Sequence, residues 1–80
     1  MQEADFHEVA EEFINLANQL SEDWAMPFLS AVFMYAAARY NAHFYFETDG
    51  DPANREQALD YYCDQYRKML AECMNERSRG

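Results

Sequence analysis

An all-α fold, three antiparallel helices in a bundle or an open array, is what this sequence predicts, and three observations carry the prediction. Apolar residues recur at intervals of three and four over long stretches, the repeat of amphipathic helices. Two Gly and two Pro in 80 residues leave few turn signals, which suits long helices better than many short strands. Six Phe, six Tyr, one Trp and five Met supply large side chains for one modest core, so residues 1–80 read as a single helical domain.

The first helix is expected over about residues 3–20, where Phe6, Val9, Ala10, Phe13, Leu16, Ala17 and Leu20 keep the helical spacing. Its other side carries Glu8, Glu11, Glu12, Asn15 and Gln19, and Glu3 and Asp5 suit the positive end of the helix dipole. The period breaks at Ser21–Met26, SEDWAM, and Pro27 then fits the first turn of a new helix, where a missing N–H costs nothing. Trp24 in this connector is expected to cover one end of the core, or to stand out as an anchor for a partner.

The second helix, residues 27–46, differs from its neighbours in being apolar on two sides. Leu29, Val32, Phe33, Ala36, Ala37, Tyr40, His43 and Phe44 form one stripe, expected to face the core. At 100° per residue, Phe28, Ala31, Tyr35, Ala38, Ala42 and Phe46 form another on roughly the opposite side. A helix in a monomeric three-helix bundle meets its neighbours through one contiguous face, so this second stripe is surplus. Either it is covered by an open array, or it is a surface for self-association or for another protein, with the alanines permitting close crossing between the aromatics.

Glu47–Asp51, ETDGD, is the clearest turn: Gly50 is free to take positive φ, and Asp51 is placed to cap a third helix from Pro52, over residues 52–77. That helix bears Leu59, Tyr62, Cys63, Tyr66, Met69, Leu70 and Cys73 on one stripe, and Ser78 to Gly80 read as a frayed tail. Short connectors make the helices antiparallel, which would set Phe13 near Ala36, Val9 near Tyr40, and Tyr62 and Cys63 near Ala36 and Ala37.

Charge narrows the partners. Fifteen acids against six bases give a formal charge of −9, a surface that repels phosphate backbones and anionic headgroups, so neither nucleic acid nor membrane is expected to bind. Residues 1–38 contain no Lys or Arg, so a basic partner would meet the N-terminal half first. The start of the chain lacks a basic n-region and an apolar h-region, and the longest apolar run, Ala31–Ala38, is far short of the roughly 20 residues a bilayer demands. A cytoplasmic location is expected. Cys63 and Cys73 lie about 15 Å apart along one helix, too far to bridge each other, and read first as small buried thiols in a reducing compartment and second as reactive thiols or partners in an intermolecular disulfide.

The strings Phe13–Gln19, FINLANQ, and Tyr35–Ala42, YAAARYNA, followed by YYxxQYRKML, resemble in order a small bacterial family, domain of unknown function 3144. The resemblance implies a compact helical protein of Gram-negative bacteria and assigns no activity. Asn15, Asn18, Arg39 and Asn41 are the matching positions that are neither core-apolar nor plainly solvated, so a shared polar site would draw on them. The aromatic HFYF ending of the second helix departs from the family pattern.

No motif points to catalysis or to a cofactor. Neither His7 nor His43 has a Glu three residues before it, as a di-iron bundle requires. In an EF-hand register with Gly50 sixth, Tyr45 would replace the first oxygen ligand, so ETDGDPAN reads as turn and cap. His43 lies a turn or more from Cys63, and no helix N-terminus is placed to activate a thiol. Arg39 reads first as a structural ion-pair partner of Glu8, Glu12, Asp60 or Asp64, and second as a receptor for an anionic group. Two main functional readings remain. One is an acidic protein–protein interaction module acting as a homodimer. The other is a ligand-binding protein or enzyme using Arg39, His43 and the tyrosines Tyr40, Tyr45, Tyr61, Tyr62 and Tyr66, with Phe44, at the junction of the second and third helices. Mimicry of nucleic acid by the acidic first helix is a third.

Overall fold

A computed structural model describes residues 3–79 of the chain. They form three helices: α1 (Glu3–Leu20), α2 (Met26–Thr48) and α3 (Arg55–Arg79), the last preceded by a single 3-10 turn, Pro52–Asn54. The all-α, three-helix expectation holds, and α1 has the predicted limits. Backbone contacts divide the chain into two units, Met1–Tyr40 and Asn41–Gly80, the boundary lying within α2.

In the first unit α1 ends where its periodicity ends. The Ser21 N–H donates to the Ala17 carbonyl at 2.9 Å, the Trp24 N–H to Leu20 at 3.0 Å, and the Ser21 hydroxyl to Asn18 at 2.6 Å. These bonds satisfy carbonyls that a helix end leaves without partners. Helix α2 then starts at Met26, one residue earlier than expected, with the Leu29 N–H donating to the Ala25 carbonyl at 3.0 Å and Pro27 in the first turn.

In the second unit α2 continues two residues past Phe46, to Thr48, whose hydroxyl donates to the Phe44 carbonyl at 2.8 Å. Gly50 takes φ 67°, and its N–H and that of Asp49 both donate to the Tyr45 carbonyl, at 3.0 and 2.8 Å. A Cβ added there would lie 3.2 Å from the Phe46 carbonyl oxygen. Asp51 caps the 3-10 turn, accepting the Ala53 N–H at 2.9 Å, with Pro52 pre-set for the first position. The third helix therefore opens as one tight turn and becomes α-helical only at Arg55, a correction to a single helix from residue 52. Ser78 and Arg79 are helical, not frayed, and the Ser78 hydroxyl donates to Asn75 at 3.0 Å. Gly80 lies outside the described residues.

The larger correction concerns burial. Among the described residues no side chain is buried. Val9, Phe13, Ala36 and Tyr40, which the expected antiparallel packing would press together, are all exposed. Val32, Phe33 and Phe44 of the stripe assigned to a core are exposed as well, and so are Cys63 and Cys73, both free. A helix keeps its backbone bonds within itself, so these segments are helical without side-chain cover. Periodicity marks the face that gains from cover without supplying what covers it.

Candidate functional site

The two regions with functional potential arise from different local chemistry. In α1 the apolar residues gather on one side, whereas in α2 they are spread around the helix with no preferred side. Every member of the second stripe is exposed: Phe28, Ala31, Tyr35 and Ala38 in the first unit, Ala42 and Phe46 in the second. Tyr35 and Phe46 each keep 69% of their surface in solvent. Trp24 is also exposed and stacks on Phe28, with ring centroids 5.1 Å apart and planes 29° from parallel. Of the two roles the sequence allowed it, cover for a core end does not occur. The connector instead adds a fourth aromatic ring beside the head of the stripe, which the helical spacing alone could not reveal because Trp24 precedes α2.

The polar candidates stand apart from this surface. Asn15, Asn18 and Arg39 are exposed in the first unit; in the second, Asn41 is half-buried and His43 exposed. Among the described residues no ion pair joins Arg39 to Glu8 or Glu12. Asp64, another expected partner of Arg39, pairs with Lys68 at 3.1 Å, one turn along α3 and largely in solvent. Such an exposed pair contributes about 0.3–0.5 kcal/mol.

The turn after α2 builds a third feature within the second unit. The Asp49 carboxylate accepts the Asp51 N–H at 3.3 Å and the Asn54 side-chain amide at 3.1 Å, while the Tyr45 hydroxyl donates to the Asp51 carbonyl. Turn and helix cap thus account for the acids that superficially suggest a calcium loop. Among the described residues no group of three or more His, Cys, Asp or Glu is placed to hold a metal ion. Against this turn lies an open cavity of about 380 Å3 lined by Tyr45, Asp49, Asn54, Gln57, Tyr61 and Tyr62, with Thr48 and Ala58. Tyr61 and Tyr62 meet edge to face, 5.7 Å between centroids. Three of the five tyrosines expected at a pocket line this depression, whereas Tyr40, Tyr66, Phe44, Arg39 and His43 are not part of its lining. The Tyr45 phenol is held above its ordinary value of 10.0, first by desolvation and then by the charges of Asp49 and Asp51, with Arg55 opposing them.

No helix among the described residues is long and apolar enough to cross a membrane. The family described as Protein of unknown function (DUF3144) matches residues 6–77, nearly the whole chain and all three helices. No curated protein and no solved structure matches. The chain belongs to this family of unknown function.

Proposed function

We propose that this member of the DUF3144 family is a small, acidic, cytoplasmic interaction module of bacteria that works as a homodimer, with the second stripe of α2 as the pairing surface. The observation that carries the reading is the exposure of that whole stripe, Phe28, Ala31, Tyr35, Ala38, Ala42 and Phe46, with Trp24 stacked at its head. Contiguous apolar surface of this kind marks contact sites.

Charge favours a second copy as the occupant. At −9 the chain repels itself through most surfaces, and a pairing through α1 would set Glu8, Glu11 and Glu12 against their own copies. Helix α2 holds only Arg39 and Glu47 among Asp, Glu, Lys and Arg, so two copies meet there with little repulsion. The stripe is also self-complementary when two α2 helices run antiparallel about a two-fold axis between Ala36 and Ala37. Tyr35 then faces the Ala38 of the second copy, Ala31 faces Ala42, and Phe28 comes beside Phe46. Large meets small at the centre, which allows the close helix approach that packing favours.

Light scattering on wild type and on Tyr35→Glu tests this. The wild type is expected at twice the chain mass at tens of micromolar, and the variant at the mass of one chain with its helical circular dichroism retained. A wild type that is monomeric at high micromolar concentration overturns the reading.

A second reading, small-molecule binding at the junction of α2 and α3, is favoured by the tyrosine-lined cavity in the second unit. It draws on Tyr45, Tyr61 and Tyr62 rather than on Arg39 and His43. A thermal-shift ligand screen with no hits counts against it.

A further inference from the structure

The cavity beside the α2–α3 turn has a lining whose chemistry selects one sign of charge. Phenol rings carry negative potential on their faces and an acceptor oxygen at the rim, and three of them line this site. Asn54 and Gln57 add uncharged amides, which can accept as well as donate. The lining contains one carboxylate, Asp49, and no Lys, Arg or His.

Asp49 is held in place without being neutralised. Its carboxylate oxygens accept hydrogen bonds from the Asp51 backbone and from the Asn54 amide, both uncharged donors. Its negative charge therefore remains at the edge of the depression that Asp49 helps to line. The Tyr45 phenol is held above its ordinary value first by desolvation and then by Asp49 and Asp51, with Arg55 opposing them, in keeping with an acidic surrounding. Tyr45 is held by its bond to the Asp51 carbonyl, and the rings of Tyr61 and Tyr62 meet edge to face. The site is a shallow depression open to solvent, so an occupant would be held against one side only.

We infer that the cavity lined by Tyr45, Tyr61, Tyr62 and Asp49 binds an organic cation, an ammonium or guanidinium group held against phenol rings and one carboxylate. This rests on the second reading above and is independent of the dimer. The cation belongs either to a free small molecule or to a Lys or Arg side chain of a basic partner, for which the same chemistry serves.

The test is titration of the full-length chain with tetramethylammonium chloride and, separately, with argininamide, read by NMR of the tyrosine rings at constant ionic strength. Saturable shifts confined to Tyr45, Tyr61 and Tyr62 are expected from at least one probe. Tighter binding of argininamide points to a guanidinium and tighter binding of tetramethylammonium to an alkylated ammonium, and both sustain the assignment. Tyr61→Leu is expected to raise the dissociation constant roughly two- to fivefold, while Tyr61→Phe, which keeps the ring, retains binding. Asp49→Asn, which keeps an acceptor but loses the charge, is expected to weaken binding by a similar factor. Shifts that fail to saturate, or equal shifts from tert-butyl alcohol, an uncharged molecule of similar size and shape to tetramethylammonium, overturn the inference. Repeating the titration on Tyr35→Glu separates the two proposals: the variant loses the dimer and keeps the cation site.

Discussion

The turn from Asp49 to Asn54 and the aromatic stripe of α2 differ in what completes them. In the turn, the chain supplies its own partners: Tyr45 reaches the Asp51 carbonyl, Asp49 receives the Asp51 and Asn54 donors, and Asp51 receives Ala53. Along the stripe, Phe28, Tyr35 and Phe46 stay in solvent, and the neighbouring ring in contact with Phe28 is Trp24, itself exposed. Polar groups close a turn over a few residues because hydrogen bonds act at short range between groups adjacent in sequence. Apolar area is removed from water only when another surface arrives, at roughly 25 cal/mol per Å2 covered. One region is complete within itself, and the other has the character of half an interface.

The largest expected effect falls on the stripe. Tyr35→Glu sets an unpaired carboxylate at the centre of the pairing surface, a cost of several kcal/mol, and is expected to weaken self-association by about a hundredfold or more in sedimentation equilibrium. Gly50→Ala comes next and acts on the turn, reaching the stripe only at Phe46, its last member. A Cβ at φ 67° meets the Phe46 carbonyl oxygen at 3.2 Å, so a loss of about 1–2 kcal/mol is expected in denaturant unfolding, with the self-association constant otherwise unchanged. Equal effects of the two substitutions on association would erase the distinction between the regions.

Asp51→Ala removes the cap at the entrance to α3 and is expected to cost about 1 kcal/mol, seen as hydrogen exchange about fivefold faster at Ala53. The smallest effect is that of Tyr45 ionisation. Because the folded phenol titrates above its ordinary value of 10.0, its contribution is complete below that value and is lost as pH rises through the higher folded one. Stability is therefore expected to be flat in this group at neutral pH and to fall only above about pH 10. Tyr45→Phe is expected to flatten that alkaline limb.

Legibility in the sequence divides along the same line. Gly50, Asp51 and Pro52 are each specific for one backbone role, so the turn and the cap are readable residue by residue. The limits of α1 are readable because SEDWAM breaks a clear period. The 3-10 opening of the third helix is not, since Asp51 and Pro52 signal a start without saying how tightly the first turn winds. The two faces of α2 come from angle alone, but among the described residues none of the stripe expected to face a core is buried. Leu29, Val32, Phe33, Ala36 and Phe44 have the spacing of a packed stripe whether or not anything packs on them. Likewise Cys63 and Cys73 look buried because their stripe looks buried. Trp24 stands out by type, and its partner Phe28 by position, yet their stacking depends on the path of the connector, which no periodicity encodes.

The most direct test of the central claim is an isotope-filtered NMR experiment on mixed labelled and unlabelled chain, recording contacts only between different copies. Antiparallel pairing of α2 predicts intermolecular cross-peaks from the Tyr35 ring of one copy to the Ala38 methyl of the other. A sample of dimer mass whose intermolecular cross-peaks arise from α1 or α3 and spare Tyr35 and Ala38 would contradict it.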